Sequence, residues 1–156
     1  MILYHGTFME FQTIKLEKCR PYKDFGKGFY LTDFEEQAMK MAEKKAIIFN
    51  GSPIILKYEF DEQLLINGEL NVKRFSEPNK DWAEFIYNNR SRSSNFHHNY
   101  DIVTGPIADD GVAYLLDRYE EGTLSLEQLA HELEFRDLNN QYFFGTGKAL
   151  KYLKRL

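Results

Sequence analysis

Two short stretches gather the residues best suited to chemistry: Tyr4-His5-Gly6-Thr7, and further on Asp24-Phe25-Gly26-Lys27-Gly28-Phe29-Tyr30-Leu31-Thr32. A histidine can accept, donate or hold a proton near neutrality, and a tyrosine offers a flat face with a polar tip. Taken singly, His5 also reads as a structural histidine and Tyr30 as a core aromatic. Gly26 and Gly28 have the spacing of a phosphate-cradling loop. There is no G-x-G-x-x-G and no Walker lysine, so neither nucleotide-loop pattern applies. The glycines instead permit backbone angles or close approaches that other residues resist.

Other polar residues carry two readings each. Asp109 and Asp110, in "IADDG" at 107–111, are either a turn with a helix N-cap or a carboxylate facing a site. Arg90 ends a predicted helix and Arg92 follows it. Each is either a cation completing a helix C-terminus or a planar fork for a phosphate group. His97 and His98 are adjacent, and neighbours on an extended chain point to opposite sides. With His131 and Cys19 they form no zinc spacing, so no metal is expected.

These residues must be positioned by regular elements. "ILYH" predicts a first strand, and "GKGFYLT" a turn entering a second. In "TDFEEQAMKMAEKKAIIFNG" the pairs Thr32/Glu35 and Asp33/Glu36 have capping-box spacing, and Asn50-Gly51 is a stop. Phe34, Ala38, Met41, Ala42 and Phe49 share a helical face there. "PIILKYEF" at 53–60 predicts a strand, with a partner strand at 64–67. "NKDWAEFIYNNR" predicts a capped helix with Trp82, Phe85 and Ile86 inward. "YDIVTGP" predicts a strand, followed by helices at "VAYLLDRYEE" and "SLEQLAHELEF", where Ser125 and Gln128 have capping-box spacing. "QYFF" at 141–144 predicts a late strand, and "GKALKYLKRL" carries both helix and strand signals. Without a steady βαβ rhythm, the mixture is α+β.

The 156 residues predict a single domain, 1–156, with a core of its own. A net charge of -4 argues against broad electrostatic binding to nucleic acid. The lone cysteine permits no internal disulfide. No signal peptide and no membrane span is visible, so a cytoplasmic location and no membrane partner are expected.

"HGT" on a first strand, then "FGKGFYLT" leading into a helix with "QAMKMA", resembles the NAD-binding half of the ADP-ribosyltransferase superfamily. The likeness is to the His-Tyr branch that includes diphtheria toxin and the poly(ADP-ribose) polymerases. "NNQYFFGTGKALKYL" resembles that branch's last motif strand, with Gln141 where the polymerases carry a catalytic glutamate. The whole chain also resembles a compact group of bacterial, DUF3990-like domains. The carrying motifs are "YHGT", "DFGKGFYLT", W-x-x-F-I-x-x-N-R and "YDIVTGPIADD".

The resemblance implies a split β-sandwich cleft with surrounding helices, in which a bent NAD buries its nicotinamide. Tyr30 would stack on that ring, and Gly6 would offer backbone groups to the carboxamide. His5 would bond the adenine-side ribose, with Thr7 assisting, and Gly28 would allow close backbone approach. Breaking the nicotinamide–ribose bond passes through an oxocarbenium-like state. A neutral Gln141 would forfeit on the order of 1–3 kcal/mol, or about 10- to 100-fold in rate, against a carboxylate. Gln141→Glu would then raise the rate, unless Asp109 or Asp110 supplies the missing acid. Glu134 and Asp137 fall where the superfamily places acceptor-recognition loops, although a solvated face is their plainer reading. The implied activity is mono-ADP-ribosylation of a protein or nucleic acid, as in bacterial toxins held by an antitoxin protein. The competing expectation is a module of the same fold that binds NAD, a nucleotide or a protein without turnover. A third, weaker reading is transfer of a 2′-phosphate from RNA.

Overall fold

The computed structural model describes residues 1–134 and 138–156. Its strands are β1 (Ile2–Thr7), β2 (Phe29–Thr32), β3 (Ile54–Glu59), β4 (Val72–Arg74), β5 (Ile102–Pro106), β6 (Asn140–Phe144) and β7 (Lys154–Arg155). Its α-helices are α1 (Glu35–Phe49), α2 (Lys80–Arg90), α3 (Asp110–Glu120), α4 (Leu126–Leu133) and α5 (Gly147–Leu150). The fold is mixed α and β. The seven strands form one sheet in the order β4-β5-β6-β2-β1-β3-β7. Every pairing is antiparallel except β4 with β5.

The sheet is not evenly knit. β1 runs along β3 from Ile2↔Glu59 to Thr7↔Ile54, and β2 along β6 from Phe29↔Phe144 to Thr32↔Gln141. Between β1 and β2 the register has a single pair, Tyr4↔Thr32. Beyond it the two strands part, and His5, Gly6 and Thr7 lie beside that seam.

Strand alternation divides the apolar residues between two cores. Leu3, Phe29, Leu31, Leu56, Ile102, Tyr142 and Phe144 face one side with Ala149 of α5. Val103 and Phe143 face the other, under Trp82, Ile86, Leu115, Leu116, Leu129 and Leu133 of α2, α3 and α4. Ser125 and Gln128 form the expected capping box, and Asn79 caps α2 by accepting from the Trp82 N–H. "GKALKYLKRL" resolves into both predicted forms, α5 followed by β7.

Three local expectations are corrected. No side chain caps α1, which starts one residue later than expected with Phe34 as its N-cap residue; Thr32 Oγ1 accepts from Phe34 N at 3.2 Å, and both candidate caps also bond to β6. Thr32 Oγ1 donates to Asn140 O at 2.9 Å, and Asp33 accepts from the Tyr142 hydroxyl at 3.0 Å. The buried stripe of α1 is Ala38, Ala42 and Ala46, while Phe34, Met41 and Phe49 are exposed. Residues 64–67 form no strand: Glu62–Leu65 is a 3-10 turn begun by Asp61, whose side chain accepts from Gln63 N. The far end of α1 follows expectation, with Asn50 left-handed and Gly51 N bonded to Ala46 O at 2.9 Å.

The alanine stripe exists because α1 lies directly on β1. A Cβ on Gly6 would stand 2.0 Å from Ala38 O and 2.8 Å from Ala42 N, both backbone atoms. Gly6→Ala is therefore expected to destabilise the protein by about 3 kcal/mol, since helix and strand must separate. Gly147 has open space around its Cβ position, and Gly147→Ala should change stability by less than about 0.5 kcal/mol. Urea denaturation of the two variants checks the contrast.

Candidate functional site

The candidate residues gather around β2, on both of its faces. His5 follows the alternation of Leu3 and stacks on Phe29, with ring centroids 4.4 Å apart. Phe11 meets the same imidazole edge-on. His5 Nδ1 lies 2.7 Å from the carbonyl oxygen of Tyr30. Thus the histidine bridges to β2 through its ring where the two strands part. Burial, reinforced by the Lys45 charge, lowers the His5 pKa from 6.5 to about 3. The ring is neutral near pH 7. Because a carbonyl can only accept, Nδ1 carries the proton and Nε2 is left as an acceptor.

The Tyr30 side chain points to the opposite core, edge-on to Phe143 at 5.4 Å. Its hydroxyl accepts from Phe25 N at 2.9 Å and donates to Gly26 O at 2.7 Å. Burial pushes its pKa well above the usual value, so it stays a neutral donor and acceptor. The two bonds clamp the turn between Asp24 and Gly28. Gly26 has φ +100°, a conformation L residues rarely adopt, and a Cβ on Gly28 would meet Phe143 and Phe144 O at 2.2 and 2.7 Å. Packing within the fold thus accounts for Gly6 and Gly28 being bare.

Gln141, on β6, lies opposite Thr32 of β2 and Gly105 of β5. Its Nε2 donates to Asp24 Oδ2 at 3.1 Å and to Pro106 O at 3.3 Å. Trp82 Nε1 donates to the same Pro106 oxygen at 3.1 Å. Asp24 Oδ1 faces Arg90 Nε at 3.8 Å. Arg90, Asp24 and Gln141 form one chain of polar contacts beneath the clamped turn.

Asp24 was not among the residues singled out from sequence. In "KDFGKG" an aspartate before a glycine turn looks like ordinary turn chemistry, and nothing local reveals that β6 passes beneath it. The carboxylates that were singled out lie elsewhere. Asp109 caps α3, accepting from Val112 N at 2.8 Å, and Asp110 is exposed in the first turn. Thr7 donates to Met9 O at 3.2 Å within its own turn. Asp137 lies outside the described residues, and Glu134 is exposed at the end of α4.

Lys45 was also missed. It reaches from α1 to donate to Gly6 O at 2.7 Å. Burial, then the charges of Lys23 and Arg20, lower its pKa from 10.5 to about 8. Among the described residues none of these three cations has a carboxylate partner. His98 bonds Phe25 O through Nε2 at 2.7 Å. It also borders an open cavity of about 400 Å³ with Phe75, Phe85, Phe96, Tyr100 and Glu84. Among the described residues, no group of three His, Cys, Asp or Glu could hold a metal ion, and no helix is long and apolar enough to cross a membrane.

The two shifted groups give stability slopes of the same sign in separate pH windows. His5 is neutral in the fold down to about pH 3 but protonates near 6.5 once unfolded. The unfolded state binds more protons in that window, so stability falls as pH drops from 6.5 toward 3, by at most about 1.4 kcal/mol per unit. His5→Asn should flatten this part of the profile. Lys45 loses its proton near pH 8 in the fold and near 10.5 unfolded, so its contribution makes stability rise between those values. Lys45→Met should remove that rise. Urea unfolding at a series of pH values, variant against wild type, reads both.

No curated protein and no solved structure matches the chain. One family matches, described as "Protein of unknown function (DUF3990)", and the match covers residues 1–155. From its first strand to its last, the chain is a member of the DUF3990 family.

Proposed function

We propose that the protein is an NAD-dependent mono-ADP-ribosyltransferase whose site lies along the seam where β1 and β2 part. The observation that carries this reading is the hydrogen bond from His5 Nδ1 to Tyr30 O at 2.7 Å, beside the single β1–β2 pair. It joins the two motifs of the resemblance at one point and leaves His5 Nε2 able to accept a ribose hydroxyl. Gln141 lies one strand away, in register with Thr32. Arg20, Lys23 and Lys45 suit a diphosphate, since an anion would relieve the repulsion that lowers Lys45.

In the reaction the nicotinamide–ribose bond breaks, and its electron pair leaves on the nicotinamide. Positive charge develops on the ribose and is quenched by a nucleophile of the acceptor, which loses its proton to water. The acceptor is a protein or nucleic acid in the full reaction, and water in simple hydrolysis. A second reading, a module that binds without turnover, draws on Gly6 O and the Tyr30 hydroxyl. Both are already engaged, by Lys45 and by the turn, before any ligand arrives.

The purified protein should release nicotinamide from NAD over hours, and His5→Ala should reduce that release at least about tenfold. Tyr30→Phe, which keeps the ring, should reduce it by loosening the Asp24–Gly28 turn. NAD binding without any release, even with cell lysate as the source of acceptors, would favour the binding module instead.

A further inference from the structure

Gln141 stands where a carboxylate is expected, yet a carboxylate is present one hydrogen bond away. Nε2 has two protons, and both face groups that only accept, Asp24 Oδ2 and Pro106 O. Those two acceptors fix the orientation of the amide by chemistry. The remaining atom, Oε1, meets no donor among the described residues. It is also absent from the buried unpartnered atoms, so it keeps access to solvent.

Asp24 is held from several sides. Arg90 faces its other oxygen, and the Tyr30 hydroxyl ties down the backbone of the next two residues. His98 holds Phe25 O, and Phe25 itself is fully buried. The carboxylate is therefore a fixed charge, with its side chain 20% exposed.

We propose that Asp24 and Gln141 work as one unit, in which the Asp24 carboxylate orients and polarises the amide so that Gln141 Oε1 accepts a ligand hydroxyl. This rests on the ADP-ribosyltransferase reading, in which that hydroxyl belongs to the ribose losing nicotinamide. A charge-assisted bond on the N–H side is about twice as strong as a neutral one and shifts electron density toward the oxygen. The negative charge behind the amide also favours positive charge developing in front of it. Asp24 is a positioning residue that acts through Gln141.

Under this arrangement Gln141→Glu lowers the rate instead of raising it. Two carboxylates would meet where an N–H now donates at 3.1 Å, and such a pair disfavours full ionisation. Asp24→Asn is expected to lower kcat for nicotinamide release by about 10- to 100-fold, leaving KM within a few-fold. The double variant Asp24→Asn/Gln141→Glu reverses donor and acceptor and should recover at least about tenfold over either single variant. A merely structural role for Asp24 would not yield this reciprocal rescue in kcat.

The experiment measures kcat and KM for NAD in all four proteins, and equilibrium binding of ADP-ribose to each. Wild-type kcat in Asp24→Asn, a faster Gln141→Glu, or a double variant no better than the singles would overturn the pairing while leaving the transferase reading in place. No nicotinamide release from wild type would instead remove the transferase reading. ADP-ribose binding then decides the pair: weakening in each single variant with recovery in the double upholds it, whereas equal binding in all four, or in none, refutes it.

Discussion

The tyrosine hydroxyl on β2 is the contact on which the candidate site depends. Tyr30 uses both its capacities, accepting from Phe25 N and donating to Gly26 O, within a turn only a few residues earlier in the chain. This short-range closure drives Phe25 into the core beneath α2 and leaves Asp24 over β6. The turn has little freedom of its own: Gly26 needs φ +100°, and Gly28 has no room for a Cβ against Phe143. The aromatic ring packs on that same Phe143. Tyrosine meets both demands because its ring fills the core while its tip remains polar.

Much of this was legible in the sequence. β1, β2, β3, β5 and β6 follow from short apolar runs bounded by glycine, proline and polar residues. The strong caps at Asn79 and Ser125 behave as their local chemistry dictates. Apart from the 3-10 turn at Glu62–Leu65, which Asp61 begins locally, the failures share one cause: tertiary partners claimed groups with a local role available. Thr32 and Asp33 carried capping-box spacing, but Asp33 takes the Tyr142 hydroxyl, and Thr32 bonds Asn140 O while accepting from Phe34 N. The bulky residues of α1 could have faced inward, but only alanines allow the helix to lie on the bare backbone of Gly6. Asp24 could have been a solvated turn residue, but a strand more than a hundred residues later in the chain passes under it.

The glycines show why a motif can be recognised for one reason and retained for another. A ligand approaching closely would exclude side chains at Gly6 and Gly28, and so does the packing of α1 on β1 and of the turn on β6. These positions therefore do not separate a transferase from a binding module, because either must keep them in order to fold. The discriminating atoms are those whose arrangement is not needed for packing, Nε2 of a neutral His5 and Oε1 of Gln141, neither of which meets a donor among the described residues.

Those two acceptors lie on opposite faces of β2, and their electrostatic surroundings differ in sign. Beside His5 and Gly6 stands Lys45, whose own affinity for protons is lowered by burial and by the charges of Lys23 and Arg20. Behind Gln141 stands the Asp24 carboxylate, only partly balanced by Arg90 at 3.8 Å. The two acceptors are thus set among charges of opposite sign, and the proposed transferase reading draws on that contrast. On that reading the diphosphate of NAD would lie toward Lys45, and the ribose that becomes positive during reaction toward Asp24.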